Sequence, residues 1–171
     1  MNLPSLVRIG MAVLALALSQ GQAATILWSN SGGTAWLSTG NWTGSTVPGT
    51  TDTAQFGANP SGGSTIGINL AGAVNNGANN QAVGAIEITS SRVASLIVQN
   101  SSGTASGTLT LNGATVNAVV NVVLRNNSGN SFTLRDGSTR QMDVALGNAT
   151  ENKVYVEGSG DLTLASVIKS V

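Results

Sequence analysis

Neither cysteine nor histidine occurs in the 171 residues. The first absence removes disulfides, zinc-thiolate sites, thioether haem attachment and thiol nucleophiles. The second removes Ser-His-Asp triads, the commonest general base and most transition-metal ligation. Charge is scarce as well. Charged side chains make up 8% of the chain, seven basic against seven acidic, for a formal net charge of zero. Such a balance offers no footprint for nucleic acid and no cationic face for a membrane surface. Aromatics reach only 4%, whereas 41% of the residues are hydrophobic and arrive in regular aliphatic runs. A chain this poor in charge is either disordered or β-rich with a surface of hydroxyls and amides. The aliphatic runs supply a core and argue for the second, in a single domain.

Long apolar runs are absent too. Ile9 to Leu18 is apolar over ten residues, preceded by Arg8 and followed by Ser19-Gln20-Gly21-Gln22-Ala23. A bilayer span needs about 20 such residues. Positive start, short apolar stretch and small residues therefore read as a signal peptide over 1–23, cleaved after Ala23. The expected destination is secretion or the cell surface, with no transmembrane segment in the mature part. Without disulfides, an exported chain must rely on its core and on backbone ladders.

What is present is alternation. From residue 83 onward short runs recur: Ala85-Ile86-Glu87-Ile88, Leu96-Ile97-Val98, Leu109-Thr110-Leu111, Val122-Val123-Leu124, Phe132-Thr133-Leu134, Val144-Ala145-Leu146, Val154-Tyr155-Val156 and Leu162-Thr163-Leu164. Each is a strand by its period of two, and Gly, Asn, Ser or Asp follows it. Taking every second run, Ile68, Ile88, Leu111, Leu134 and Val156 stand 20, 23, 23 and 22 residues apart. Glycine turns recur beside them, and Gln99-Asn100-Ser101-Ser102-Gly103 matches Arg125-Asn126-Asn127-Ser128-Gly129. The spacing predicts an all-β parallel β-helix (β-solenoid) of 20–23 residues per rung over 61–171. In it Ile86, Ile88, Leu109, Leu111, Phe132, Leu134, Val154 and Val156 point inward, and Glu87, Thr110, Thr133 and Tyr155 form an outward row. An antiparallel sandwich or barrel is the alternative, since it too shows closely spaced short strands.

Residues 24–60 differ in composition. Trp28, Trp36 and Trp42 all fall here, followed by Pro48, Asp52, Ala54 and Phe56. One reading is an N-terminal cap, with large aromatics covering the open end of the first rung. The other is a sugar platform, in which Trp28, Trp36 and Trp42 stack on pyranose rings and Asp52 holds hydroxyls.

The stretch from Ile26 to Gly57, with Trp28, Trp36, Asn41-Trp42, Pro48, Asp52, Ala54 and Phe56 in that order, resembles the mature start of bacterial autotransporter-associated β-strand repeat proteins. The later Leu109-Thr110-Leu111-Asn112-Gly113 and Asp161-Leu162-Thr163-Leu164 resemble rungs of that family more loosely. The resemblance implies a surface-displayed or secreted β-helix, usually without catalytic residues, serving as stalk, adhesin or passenger. Its partner would be an extracellular glycan or a host or neighbouring cell surface. The family's C-terminal β-barrel translocator has no counterpart here. Ile168-Lys169-Ser170-Val171 reads as the inside of a rung, which predicts a truncated solenoid with an uncapped C-terminal end.

For catalysis by a polysaccharide lyase or hydrolase the acids must cluster. Asp136 and Glu157 occupy similar turn positions and, with Arg135 and Arg140 nearby, form the constellation to consider. Against them stands the ordinary use of acids in turns. No calcium nonapeptide and no phosphate loop is present, so no metal, cofactor or catalytic residue is assigned. Residues 71–82 read as a Gly/Asn-rich loop leaving the solenoid, a weak candidate contact site.

Overall fold

A computed structural model describes residues 23–72, 78–147 and 150–170. The signal-peptide reading of residues 1–22 and the middle of the 71–82 loop fall outside the described residues. The strands are β1 (Thr25–Leu27), β2 (Thr53–Phe56), β3 (Ser64–Ile68), β4 (Asn80–Val83), β5 (Ala85–Ile88), β6 (Leu96–Asn100) and β7 (Gly107–Leu111). Then follow β8 (Ala114–Val116), β9 (Val119–Asn126), β10 (Phe132–Arg135), β11 (Met142–Leu146), β12 (Lys153–Val156), β13 (Leu162–Ala165) and β14 (Ile168–Ser170). Helical structure among the described residues is limited to 3-10 turns at Thr39–Asn41, Thr43–Ser45 and Leu70–Gly72.

These strands build a parallel β-solenoid of about four turns. One face stacks β1, β2, β5, β9 and β12, a second β3, β6, β10 and β13, and a third β4, β7, β11 and β14. Three strands make one turn, so equivalent residues lie farther apart than the expected 20–23. Ala54 stands beside Ile86, 32 positions on, and Ile86 beside Leu124, 38 on. Leu124 then pairs with Val154, 30 on. The series Ile68, Ile88, Leu111, Leu134 and Val156 steps through the second, first, third, second and first faces. Taking every second strand of a three-strand turn advances two thirds of the way round, which produces a regular spacing without vertical neighbours. The solenoid expectation stands and its rung length is corrected. Glu87, Thr110, Thr133 and Tyr155 likewise lie on three faces, not in one row.

Alternation on three faces sends one apolar set into a common interior. Ile26, Ala54, Ile86 and Leu124 form one buried column, and Ile66, Val98 and Leu134 another. Burying each large aliphatic side chain contributes about 1.5–3 kcal/mol. Val154 and Val156, expected inside, are 46% and 50% exposed because they lie in the last turn of the described residues. Residues 80–82, read as the end of a loop, belong to β4, which runs in register with β7, and Gln81, Ala82 and Val83 are buried.

The corners explain the matching Asn-x-Ser-Gly stretches. Asn100 ends β6 and Asn126 ends β9, and both side chains turn into the interior. In each, Oδ1 accepts the N–H of the serine two residues on, at 2.9 and 3.1 Å. Each Nδ2 donates to a nearby carbonyl and to one a turn away, Gln141 O from Asn100 and Asp161 O from Asn126, both at 3.0 Å. The amide thus satisfies backbone groups that a bend takes out of the ladder. The next turn passes so close beneath the second corner that a methyl on Gly158 would run into the carbonyl of Ser128.

At the N-terminal end Trp28, Trp36 and Trp42 gather around Phe56. Centroid separations are 4.8 Å for Trp28–Trp42, 5.0 Å for Trp36–Trp42 and 5.6–5.9 Å to Phe56. Most of these contacts are edge-on or tilted, as ring quadrupoles prefer. Trp28 N–H donates to Gln55 O and Trp36 N–H to Gly67 O, which lays both segments on the first complete turn. A polar clasp holds the loop: Asn30 Nδ2 donates to Asn41 Oδ1 at 2.7 Å, and Asn41 Nδ2 to Ala35 O at 2.8 Å.

Candidate functional site

The cap absorbs the residues proposed for a sugar platform. Trp28 and Trp36 are fully buried and Trp42 is 2% exposed, so no indole face is open for a pyranose to stack on. Their aromatic area covers the first layer of the column instead. Asp52 is also engaged: its carboxylate accepts the N–H groups of Ala24 at 2.9 Å and Gly49 at 2.8 Å, shaping the entry to β2.

Asp136 and Glu157 do not meet. Asp136 follows β10 on the second face, and its Oδ1 accepts the Met142 N–H at 2.9 Å. Glu157 follows β12 on the first face and is held by Arg125. The cause is again the three-strand turn, because 21 residues of separation move a side chain to another face. Arg135 donates through Nε to Gln99 Oε1 at 2.9 Å, and Arg140 through Nη1 to the adjacent Thr139 O.

A different constellation is brought together on the first face. Gln55, Glu87, Arg125 and Tyr155 follow one another across four turns in register. Arg125 Nη1 reaches Glu87 Oε1 at 2.7 Å, while Nε and Nη2 converge on Glu157 Oε2 at 2.6 and 2.5 Å. Gln55 Nε2 and Asn117 Nδ2 also donate to Glu87, at 2.7 and 3.2 Å. Glu87 does point outward, yet these neighbours leave it only 5% exposed. Partial burial alone lowers the Arg125 pKa, but hydrogen bonds and charge from Glu87 and Glu157 outweigh it and the net shift is upward.

This cluster is roofed by a hairpin missed in the sequence. β8 pairs antiparallel with the first half of β9 around Asn117 and Ala118, at φ 48° and 64°. Two successive positive φ values are what a tight two-residue hairpin turn requires. Val116, Val119 and Val122 pack with Ala85 and Tyr155, leaving a recess of about 80 Å³ beside Arg125 and Glu157. The hairpin lengthens the third turn, which is why Glu87 and Arg125 stand 38 positions apart. The available signal was the odd apolar pair Val119-Val120, directly after Val116-Asn117-Ala118.

A second guanidinium, the fully buried Arg92, serves the backbone. It donates to the carbonyls of Ala94 and Gly62 at 2.7 Å each, of Ser95 at 3.2 Å, and of Pro60. These bonds join the connections of two consecutive turns, and desolvation pushes the Arg92 pKa down.

The second face carries open relief. Shallow depressions flank Gln99: one is lined by Thr34, Thr65, Gly67 and Ser101, the other by Arg135, Asp136, Gly137 and Ser138. Such a surface can offer hydroxyl, amide and guanidinium hydrogen bonds to a polar partner. Among the described residues no group of three or more Asp or Glu could hold a metal ion, and no helix is long and apolar enough to cross a membrane. No known protein family, curated protein or solved structure matches the chain.

Proposed function

We propose that the chain is an exported, non-catalytic structural or adhesive β-helix, the passenger or stalk of a cell-surface or extracellular protein. The observation that carries this reading is the division of residue types between the inside and outside of the solenoid. Its aromatic rings, apart from Tyr155, are spent on the interior. Its outer faces present Thr, Ser, Gln and ion-paired side chains on a backbone locked by parallel ladders. Such a column resists bending and keeps a polar surface at a fixed distance from its base. The contact partner would be an extracellular glycan or a neighbouring cell surface, met by the relief around Gln99 and Arg135. The burial of Trp28, Trp36 and Trp42 and the separation of Asp136 from Glu157 on different faces favour this reading over a Trp-based carbohydrate module or an Asp136/Glu157 enzyme.

The test is location together with contact. A tagged chain produced in its native host should be recovered outside the cytoplasm and be cut by protease added to intact cells. Beads coated with the folded protein should attach to polysaccharide or cells, and attachment should disappear after thermal unfolding. Recovery in the cytoplasm alone would sink the reading.

A further inference from the structure

Most cationic side chains among the described residues are already committed within the chain. Arg125 is held between Glu87 and Glu157, Lys153 pairs with Glu151, and Lys169 pairs with Asp143. Arg92 is turned onto buried carbonyls. Arg135 and Arg140 remain, both exposed, and neither forms an ion pair with a described carboxylate. They stand at the two ends of the short connection from β10 to β11, with β6 and β7 stacked on one side and β13 and β14 on the other. We propose that this connection binds an anionic polysaccharide, whose carboxylate or sulfate groups Arg135 and Arg140 grip. The inference rests on the reading of the outer faces as a contact surface.

The site is fixed from beneath and open above. Asp136 Oδ1 accepts the Met142 N–H at 2.9 Å, Gly137 N–H donates to Arg140 O at 3.0 Å, and Asn100 Nδ2 holds Gln141 O at 3.0 Å. A methyl on Gly137 would run into the Asn100 carbonyl, so the connection lies close against that corner. Its backbone is ordered before any ligand arrives, which lowers the entropic cost of binding. The side chains keep donors for the outside. Gln99 Oε1 takes only Nε of Arg135, at 2.9 Å, and both Nη groups stay without a partner among the described residues. Those two form the end of a planar fork that meets two oxygens of one anion. Arg140 gives Nη1 to the Thr139 carbonyl at 3.0 Å and keeps Nε and Nη2.

The lining selects a sugar polymer over an acidic protein. Hydroxyls of Thr34, Thr65, Ser101 and Ser138 border the two depressions beside Gln99, and Gly67 and Gly137 leave their floors free of side chains. Hydroxyls and amides suit ring hydroxyls. The large apolar anchors on which protein interfaces depend line neither depression. Charge acts locally here. The chain carries no formal net charge, so long-range attraction does not draw a polyanion and a specific site must. Asp136 offsets one of the two guanidiniums, and the connection stays net positive.

The test is binding of the folded protein to immobilised alginate (a polyuronate), dextran sulfate and uncharged dextran. At least one anionic polymer should bind about tenfold more tightly than dextran, and the stronger of the two identifies the anion. Binding should fade as salt rises to about 1 M, where the Debye length is about 3 Å. Arg135→Gln and Arg140→Gln should each lower affinity roughly tenfold, the effect of losing a charge-assisted hydrogen-bonding group, with an unchanged circular-dichroism spectrum. Lys169→Gln removes the same charge from the third face and should leave affinity as it was. An equal loss in Lys169→Gln, or equal binding to poly-glutamate, means that charge alone is read and overturns the proposal. Binding to neither anionic polymer, or to dextran as tightly as to them, overturns it as well. If protein-coated beads still attach to cells in that case, the adhesive reading stands and this site alone fails.

Discussion

At the N-terminal end of the column the last apolar layer is covered by three indoles; at the C-terminal end it is covered by nothing within the described residues. Phe56 and Ile66 are fully buried one turn below the cap. Val154 and Val156, which hold the same inward orientation at the other end, are about half exposed. The strands at both ends are short and alternate alike. The difference lies only in what sits on the final layer, and it shows that an inward-pointing residue of a solenoid is buried by its neighbouring turn and not by its own strand.

That contrast can be broken by truncating residues at either end. Trp42→Ala should cost about 3–5 kcal/mol, the range for deleting a large buried aromatic, read by denaturant unfolding. Val156→Ala should cost under 1 kcal/mol by the same measurement, since little buried area is lost. Equal costs would mean that the C-terminal layer is covered in solution.

The ion cluster between the ends sharpens the comparison. Arg125→Ala leaves Glu87 buried with only Gln55 and Asn117 as donors. A loss of about 2–3 kcal/mol is expected, below the 3–5 of a fully buried pair because Glu157 is partly exposed. Tyr155 and the β8–β9 hairpin should loosen with it, visible as faster amide exchange in Val116 and Val119.

Asn126→Ala strands the Ser128 N–H and removes one of the two hydrogen bonds to each of the Asn130 and Asp161 carbonyls, for about 1–3 kcal/mol. The matching Asn100→Ala should fall in the same range, because its bonds follow the same pattern. The smallest effect concerns the unaltered protein: exchange should slow from β13 and β14 toward β5 and β6, following local burial. A flat profile would remove the asymmetry between the ends.

Much of this arrangement was legible along the chain, for identifiable reasons. Strands such as Leu96-Ile97-Val98 and Phe132-Thr133-Leu134 show themselves because a two-residue period needs no partner to be visible. The Asn-x-Ser-Gly corners are visible because their bonds begin locally. The number of strands per turn was hidden, since strands that follow one another at short intervals fit two per rung as readily as three. That single ambiguity misplaced Asp136 relative to Glu157 and concealed the meeting of Glu87 with Arg125. The tryptophans were conspicuous as residues, but platform and cap use the same rings.

The repeating solenoid announced at the level of sequence therefore holds, with turns of about 30 residues in place of 20–23. Sequence by itself determined which residues alternate, where the chain bends, and which chemistries the lack of cysteine and histidine removes. These depend on side-chain type and on contacts within a few residues. Tertiary structure decided which strand lies on which, that the indoles face inward, and that one arginine holds two glutamates. Those follow from register between segments some 30 residues apart, where the free energy belongs to the pairing of whole turns and no local pattern records it.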